Sequence, residues 1–326
     1  MKRRDFVALL GGAAAYWPLA TRAQKQAMPV IGYVSAGTPD IFASRVRAFR
    51  EGLSEEGYVD GGNITVDYRW TGFKYEELKT AAADLVRRKV ALIVADGPAV
   101  YRARDATSII PIIFWTTRDP VEAGWTASLS RPSGDLTGVT SLGSELGAKR
   151  LELLHQVVHG AQIFALLINP LSSSVAEYQS KGVQVAADSL GVALHVLHAS
   201  TDDELDQAFA KVRELRPTGL VISPDVFFLS RVERIAGQAL RQAIPAVYQY
   251  REFTAAGGLM SYGTNVVSLF KIIGSYAGRI LKGEKTADLP VQQVTRVELI
   301  INLKTAKTLG LEVPPALVAR ADEVIE

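Results

Sequence analysis

Residues 109–124 read IIPIIFWTTRDPVEAG, and this stretch decides the fold class of the chain. The apolar run at residues 112–114 is rich in β-branched side chains and is typical of a buried strand. Pro111 suits the first position of that strand, because proline has no N–H group for the hydrogen-bond ladder. The run gives way to aromatic, hydroxyl and charged residues at positions 115–119. Parallel strands bind ligands beyond their carboxyl ends, so the stretch predicts a parallel strand whose loop forms one wall of a ligand cleft.

The same order of strand, polar break and helix continues along the chain on both sides of this stretch. Apolar runs that each lead toward an amphipathic stretch are found at residues 30–34, 64–68, 91–95, 163–168, 192–197, 219–222 and 244–248. Parallel strands need a crossover connection, and a helix between consecutive strands supplies a right-handed one. The chain is therefore predicted to be an α/β protein with parallel, Rossmann-like sheets.

The two halves of the chain carry corresponding strands. The run at residues 110–114, with Pro111 second, corresponds to the run at residues 244–248, with Pro245 second, at an offset of 134 residues. A repeat of this length indicates two similar lobes, because a solenoid would repeat over a few tens of residues. The segment from Gly257 onward is too long to be a tail on the second lobe, so we expect the chain to cross between lobes three times and to form a hinge.

The expected crossings give a division of the chain into a leader and two lobes. They lie near residues 140–143, 262–265 and 296–298. The predicted parts are a signal peptide at residues 1–23, an amino-terminal lobe of residues 28–141 plus 264–296, and a carboxyl-terminal lobe of residues 142–263 plus 297–326.

The first 23 residues predict export from the cytoplasm. They carry a basic run at residues 2–4, an apolar run at residues 7–19 and a small residue, Ala23, at the expected cleavage position. The pair of arginines followed by Phe6 resembles a twin-arginine signal, which predicts a periplasmic protein. The alternative interpretation is a basic amino-terminal arm or a membrane anchor.

Composition excludes several classes of protein. The chain has no cysteine, so disulfides, thiolate catalysis and zinc–sulfur sites are excluded. The net charge is +2, but the first 23 residues alone contribute +3 and leave −1 for the remainder. A remainder so close to neutrality gives no electrostatic reason to expect nucleic acid as a partner.

The candidate ligand contacts are the residues that follow the predicted strands. The set consists of Ser35, Ala36, Gly37, Gly97, Pro98, Ala99, Trp115, Thr116, Thr117, Asp119, Asn169, Ser172, Ser173, Ser174, Asp225, Tyr248 and Asn265, with Asp96, Arg118, Ser223, Tyr250 and Arg251 at the same strand ends. Helix N-termini among them suit a carboxylate, Asp225 could pair with an ammonium group, and Trp115 and Tyr248 offer stacking surfaces. Each residue taken singly could instead be a helix cap or a turn former.

Catalytic and cofactor patterns are weak in this chain. His155 and His159 have zinc-protease spacing, but Gln156 replaces the glutamate that would act as the base. No glycine-rich dinucleotide motif and no Walker loop are present, so neither a metal nor a cofactor is expected. The enzymatic alternative is a two-lobed isomerase or lyase with Asp225 and Asp119 as its acid and base.

Several motifs resemble one family over nearly the whole chain after residue 28. They are Val30-Ile31-Gly32-Tyr33, Phe49-Arg50-Glu51-Gly52-Leu53, Asp119-Pro120-Val121, Gly134 with Thr137-Gly138-Val139, Tyr262-Gly263, and Ile301-Asn302-Leu303-Lys304-Thr305-Ala306-Lys307. The chain resembles periplasmic substrate-binding proteins of ATP-driven (ABC) importers, in the branch with tryptophan- and tyrosine-binding members. The resemblance implies a type I periplasmic-binding-protein fold with a closing cleft, a small-molecule ligand, a membrane permease as partner, no catalysis and a monomer. A ligand-sensing partner of a membrane receptor is an alternative role for the same fold.

Two departures from the family pattern affect the expected ligand. Asn265 stands where the family often has an aspartate that helps to bind an α-amino group. Trp115 and Arg118 stand in a loop that is usually small and neutral. An arginine there can hold a carboxylate. The expected ligand is an amino acid, with an aromatic carboxylate as the alternative.

Overall fold

The structure is a computed structural model that describes residues 28–326 apart from residues 133, 142, 159 and 161. Side chains at residues 143–145 and 173–175 also lie outside what it describes. The predicted signal peptide at residues 1–23 and the predicted helical position of His159 fall outside the described residues.

Strands and helices alternate along most of the chain. In chain order the strands are β1 (Val30–Ser35), β2 (Thr65–Trp70), β3 (Leu92–Asp96), β4 (Ile112–Thr116), β5 (Leu136–Thr140), β6 (Ile163–Ile168), β7 (Ala193–His198), β8 (Gly219–Ile222), β9 (Ala246–Tyr248), β10 (Met260–Thr264), β11 (Gln292–Gln293), β12 (Val297–Asn302) and β13 (Glu323–Ile325). The α-helices are α1 (Ala43–Glu55), α2 (Leu78–Arg87), α3 (Pro98–Ala106), α4 (Gly143–Val157), α5 (Ser173–Leu190), α6 (Asp202–Leu215), α7 (Val226–Leu229), α8 (Val232–Arg241), α9 (Arg251–Ala255), α10 (Val266–Leu281), α11 (Leu303–Thr308) and α12 (Pro315–Val318).

The described strands form two separate sheets. The first has the order β11-β5-β4-β3-β1-β2 and the second the order β13-β12-β10-β9-β8-β6-β7. The pairs are parallel except β10 with β12, which is antiparallel. We call each sheet with its covering helices a lobe. The two mostly parallel sheets confirm the predicted α/β fold class.

The chain crosses between the sheets three times, as predicted. It leaves the first sheet after β5, returns to it after β10 through α10 and β11, and enters the second sheet again at β12. The strand order reverses between β1 and β3 in the first sheet and between β6 and β8 in the second. Such reversals open a crevice at the carboxyl ends of the strands, where ligands bind in α/β proteins.

Strand β4 forms from the stretch at residues 109–124 and lies inside the first sheet between β3 and β5. The side chains of Ile112, Ile113 and Phe114 are fully buried, as their apolar run predicts. The strand also includes Trp115 and Thr116, which are almost fully buried, so the apolar run predicted its end two residues too early.

Helices α1 and α10 approach each other closely at two glycines. A Cβ atom on Gly52 would lie 2.0 Å from the carbonyl oxygen of Lys271, and one on Gly274 would lie 2.0 Å from that of Phe49. Only a residue without a side chain allows backbones to pack at this distance. The contact fixes α1, and with it Arg45, against the returning segment of the chain.

The described residues support neither a membrane-spanning helix nor a metal site. In this part of the chain, no helix combines the length and apolar character that a membrane span requires. The same residues contain no cluster of histidine, aspartate and glutamate that could hold a metal ion.

Candidate ligand-binding cleft

A cavity lies where the carboxyl ends of the strands of the two lobes face each other. We call it the cleft cavity. Its lining residues are Asp96, Gly97, Pro98, Trp115, Thr116, Thr117, Ser172, Pro224, Asp225, Val226 and Tyr250. Residues that follow strands of both sheets therefore meet at one cavity. The wall combines one large aromatic ring from each lobe with hydroxyl and carboxyl groups.

Asp96 lies at the strand-order reversal of the first sheet, at the end of β3. The hydroxyl of Ser35 at the end of β1 donates to its Oδ1 at 3.0 Å, and the hydroxyl of Tyr33 lies 3.4 Å from its Oδ2. Burial raises the pKa of this carboxyl to about 7, although Ser35, Arg45 and Tyr33 favour the ionised form. Ser35 therefore contacts Asp96 and does not line the cleft cavity itself.

Asp225 occupies the equivalent position in the second lobe, in the loop after β8. Its Oδ1 accepts hydrogen bonds from Nδ2 of Asn169 at 2.9 Å and from the backbone N–H of Phe227 at 2.8 Å. Burial raises the pKa of this carboxyl to about 6, against the opposite effect of these hydrogen bonds. Asn169 and Asp225, which were both predicted from their places at strand ends, thus form one hydrogen-bonded unit.

Tyr75 joins this unit from the other lobe. Its hydroxyl lies 2.9 Å from Oδ2 and 3.0 Å from Oδ1 of Asp225 and accepts a hydrogen bond from Nδ2 of Asn169 at 3.2 Å. Tyr75 belongs to the segment between β2 and α2, so these bonds connect the two lobes directly. The lobes are therefore held together across the cleft in this structure.

The segment before Tyr75 adds an aromatic contact between the lobes. The ring of Phe73 meets the edge of Phe227 with centroids 6.2 Å apart, and the guanidinium of Arg231 lies 5.0 Å from Phe73 and 4.1 Å from Phe227. Phe73 has a φ of 71°, which is strained for a side chain of this size. Its N–H donates to the carbonyl of Ala36 at 2.7 Å, which anchors the segment to the first lobe.

Arg45 of α1 does not line the cleft cavity, but it lies against two rings that do, and we call this position the base of the cleft. Its guanidinium carbon is 4.5 Å from the ring centroid of Phe42, 5.5 Å from that of Trp115 and 5.4 Å from that of Tyr250. The residue is only 2% exposed. Within the described residues, its Nη1 atom has no hydrogen-bond partner. A protonated guanidinium is thus buried against two rings that also line the cleft cavity.

The structure brings only part of the predicted set to the cleft cavity. The predicted residues that line it are Gly97, Pro98, Trp115, Thr116, Thr117, Ser172 and Asp225. Ser35 and Asn169 hold its carboxyl groups, as described above. The side chains of Ser173 and Ser174, at the start of α5, lie outside the described ones.

The other predicted residues do not line the cleft cavity and contribute to the structure around it. Ala36 and Ala99 are fully buried in the core of the first lobe, and the N–H of Gly37 donates to the hydroxyl of Ser35. Asp119 accepts a hydrogen bond from the N–H of Val121 at 2.8 Å and caps its own turn. Asn265 caps α10 and its side chain donates to Glu298 at 3.3 Å.

The prediction for Tyr248 needs correction. Its ring is fully buried in the second lobe and stacks on Phe253 with centroids 4.6 Å apart and planes 8° apart. Tyr248 is the last residue of β9, and its side chain packs onto the following helix α9 and does not line the cleft cavity. Tyr250, two residues further on, supplies the ring that lines the cleft cavity.

The sequence analysis missed two residues, Arg45 and Tyr75, because it considered only residues at the ends of strands. Arg45 carried a signal, since it stands three residues after Phe42 and four before Phe49, on the apolar stripe of α1. Tyr75 carried none, because its partner Asp225 is 150 residues away in the sequence.

Comparison with known proteins places this chain in a defined class of binding proteins. Residues 36–325 match the family described as ABC transporter substrate binding protein. The chain belongs to this family. A tyrosine-binding protein of Clostridioides difficile (strain R20291) is 27% identical over 267 residues, which cover 82% of this chain and 76% of that protein.

Solved structures share the fold. A conserved domain protein from Vibrio cholerae has a TM-score of 0.82 at 22% identity, and an ABC domain in complex with L-Trp from Streptococcus pneumonia has a TM-score of 0.80 at 22% identity. A ligand-free, open substrate-binding protein with adhesive properties from Clostridium difficile has a TM-score of 0.62 at 24% identity. Each match covers 91% of this chain and 99% of the other.

Proposed function

We propose that this protein is the exported solute-binding component of an ABC importer and that it binds an aromatic amino acid or a related aromatic carboxylate in the cleft cavity. The observation that carries the proposal is the convergence of strand ends from both sheets on this one cavity. Trp115 and Tyr250 supply ring surfaces in its wall, and hydroxyl groups of Thr116, Thr117 and Ser172 surround them.

Closure of the two lobes is the second part of the proposal. Tyr75 and Asp225 make a hydrogen bond that only a closed arrangement of the lobes allows. The TM-score is higher with the L-Trp complex than with the ligand-free open protein, which supports a ligand-bound-like arrangement here. The three crossings form the hinge, with lobe boundaries at residues 28–141 plus 264–296 and 142–263 plus 297–326. A ligand that binds the closed form best shifts the lobes toward it.

The relatives support the ligand class and the cellular role. One relative is named for tyrosine and one structure contains L-Trp, so aromatic amino acids are the first compounds to test. Membership of the family supports a membrane permease as partner and a location outside the cytoplasm. Export through the twin-arginine pattern at residues 1–23 and action as a monomer belong to the same proposal.

The enzymatic alternative has less support in the geometry. It required Asp119 and Asp225 to face one substrate as acid and base. Asp119 caps its own turn and does not line the cleft cavity, whereas Asp225 does. We therefore propose a binding role without catalysis.

Identification of the bound compound tests the function. Mass spectrometry of small molecules released from the protein purified under native conditions would give the ligand, and calorimetric titration with L-Trp, L-Tyr and aromatic carboxylates would give the affinities. Small-angle scattering should show contraction on addition of the ligand. Folded protein that binds none of these compounds would overturn the proposed ligand class.

A matched pair of variants tests the location of the site. Trp115 lines the cleft cavity, whereas Trp125 is equally buried in the first lobe but packs on Phe114 and Tyr101. Trp115→Leu should lower ligand affinity by a factor of 10 or more, as about 1.4 kcal/mol per tenfold change implies for a lost ring contact. Trp125→Leu should lower stability and leave the affinity of the folded protein unchanged. Equal affinity losses in both variants would show that the ligand does not bind in the cleft cavity.

A further inference from the structure

Arg45 is a buried cation that no described carboxylate contacts directly. The residue is 2% exposed, makes no ion pair with any described carboxylate, and has an Nη1 atom without a hydrogen-bond partner in that part of the chain. Guanidinium groups remain protonated in proteins. The surrounding rings of Phe42, Trp115 and Tyr250 stabilise the charge through their faces but supply no acceptor oxygen.

A second cavity, which Arg45 lines, shares Tyr250 with the cleft cavity. We call it the hinge cavity, and its lining includes Arg45, Gln249, Tyr250, Thr264 and Asn265. Oε1 and Nε2 of Gln249 and Oγ1 of Thr264 are buried and, like Nη1 of Arg45, lack hydrogen-bond partners among the described residues. Tyr250 lines both cavities. The unpartnered polar atoms of both lobes therefore belong to residues that line the hinge cavity, which shares Tyr250 with the cleft cavity.

The carboxyl groups that face the cleft are already engaged by other residues. Asp96 is close enough for Arg45 to favour its ionised form, but its oxygens accept hydrogen bonds from Ser35 and Tyr33. Asp225 accepts hydrogen bonds from Tyr75, from Asn169 and from the N–H of Phe227. Neither carboxylate forms an ion pair with Arg45. The positive charge at the base of the cleft is therefore not neutralised by a direct contact.

The other charged residues near Tyr250 do not neutralise the charge of Arg45 either. Arg150, which is fully buried in α4, donates to the carbonyl of Tyr262 and to Gln179, so it adds a second buried cation paired only with neutral groups. Glu298 of the hinge cavity accepts a hydrogen bond from Asn265, and Glu252 is exposed. An anion is thus the ligand group that the base of the cleft lacks.

We infer that Arg45 binds the carboxylate of the ligand, and that the ligand is an organic anion with a flat apolar body that lies against Trp115 and Tyr250. The inference rests on the proposed function and names the group that selects its ligands. The planar fork of a guanidinium matches the two oxygens of a carboxylate. A neutral ligand of the same shape would leave the cation buried and unpaired, which is costly.

Pairs of acids and their neutral amides measure the contribution of this charge. The pairs are phenylacetate with phenylacetamide, indole-3-acetate with indole-3-acetamide, and L-tryptophan with L-tryptophanamide. Calorimetry should show that the wild-type protein binds the acid of the preferred pair at least about 10-fold more tightly than the amide. Arg45→Met should lower affinity for the acid about 10- to 100-fold and leave affinity for the amide unchanged. Arg47→Gln, an exposed residue of the same helix, should behave like the wild type.

Stability of the ligand-free protein separates this role from a structural one. Arg45→Met removes an unpaired buried charge and keeps much of the side-chain volume, so its midpoint of urea unfolding should be equal to or higher than that of the wild type. A purely structural arginine would give the opposite pattern, with a lower midpoint and an unchanged ratio of acid to amide affinity. That pattern would overturn the assignment.

The outcomes distinguish this inference from the proposed function. If the wild type binds any of these compounds and Arg45→Met keeps the wild-type ratio of acid to amide affinity, the role of Arg45 is wrong while the binding function stands. If the folded wild type binds neither acids nor amides, the proposed ligand class fails and the role of Arg45 fails with it.

Discussion

The hydroxyl oxygen of Tyr75 lies 2.9 Å from Oδ2 of Asp225, and this hydrogen bond joins the two lobes across the cleft. Asn169 donates to both partners, so three side chains from two lobes share one network. Asp225 is buried, and a buried carboxylate is stable only when its oxygens accept hydrogen bonds. Opening of the lobes would remove one donor from this carboxylate and expose it to water in its place.

Replacement of Tyr75 by phenylalanine tests this contact. Loss of the hydroxyl removes a hydrogen bond to a carboxyl group, worth about 1.5 to 3 kcal/mol. The closed arrangement should become less populated, so ligand affinity should fall by about a factor of 10. Calorimetry gives the affinity, and small-angle scattering of the ligand-free protein should show a larger radius of gyration.

Tyr248→Phe is the matched control for this variant. The hydroxyl of Tyr248 is buried in the second lobe and has no hydrogen-bond partner among the described residues. Its removal should leave affinity and radius of gyration unchanged and should preserve or raise stability. An affinity loss in Tyr248→Phe as large as that in Tyr75→Phe would contradict the assignment of Tyr75 to lobe closure.

Asp96 should make stability depend on pH. Burial raises the pKa of this carboxyl to about 7, above its unfolded value of about 3.9. The folded protein then binds more protons than the unfolded chain between these values, so the free energy of unfolding falls as pH rises from about 4 to about 7. Urea unfolding of the wild type at pH 5 and pH 8 should show a decrease from this group on the order of 2 kcal/mol.

Asp96→Asn isolates this contribution from that of the other ionisable groups. The amide resembles the protonated acid and does not titrate, so the variant should show a smaller decrease in stability between pH 5 and pH 8. The difference between the two decreases measures the contribution of Asp96. Parallel pH profiles for the two proteins would mean that this carboxyl is ionised in the folded protein as readily as in the unfolded chain.

The contact between α1 and α10 should tolerate no side chain at Gly274. A Cβ atom there would lie 2.0 Å from the carbonyl oxygen of Phe49, so Gly274→Ala must separate the two helices. We expect a loss of about 2 to 3 kcal/mol in the free energy of unfolding, as for overpacked cores. Ligand affinity should also fall, because α1 carries Arg45.

Gly237→Ala provides the control for this helix substitution. Gly237 lies within α8, and a Cβ atom there would approach only the flexible end of Arg241, at 3.1 Å. Alanine favours a helix over glycine, so stability should be unchanged or rise by up to about 1 kcal/mol. A similar stability loss in both variants would show that the close approach of α1 and α10 is not the cause of the loss in Gly274→Ala.

Asp225→Asn distinguishes two roles for this carboxyl group. The sequence left open that Asp225 pairs with a ligand ammonium group, but its oxygens accept hydrogen bonds from Tyr75, Asn169 and Phe227. The variant should therefore weaken binding of L-phenylalanine and of 3-phenylpropionate, which lacks the amino group, by the same factor in calorimetry. A loss confined to L-phenylalanine would assign the ammonium group to Asp225.

Strand ends could be located from sequence because their pattern is local. The apolar run at residues 112–114 followed by Trp115 and Thr116 marks a strand and its loop without knowledge of any neighbour. Residues of the cleft cavity such as Gly97 and Thr117 follow from that rule. The same rule failed for Tyr248, because a three-residue strand does not fix which way its last ring packs.

The amino-acid sequence by itself determined that this chain forms two parallel α/β lobes with polar strand ends, since alternation of apolar and helical segments is encoded over a few residues. Only the tertiary structure decided which groups meet. Tyr75 reaches Asp225 because the three crossings between the sheets bring the two lobes face to face. Arg45 lies 5.4 Å from the ring centroid of Tyr250, because the contact of α1 with α10 fixes α1 in the first lobe and the crossings bring Tyr250 of the second lobe next to it. The charge balance of the cleft depends on such long-range distances, which no local pattern contains.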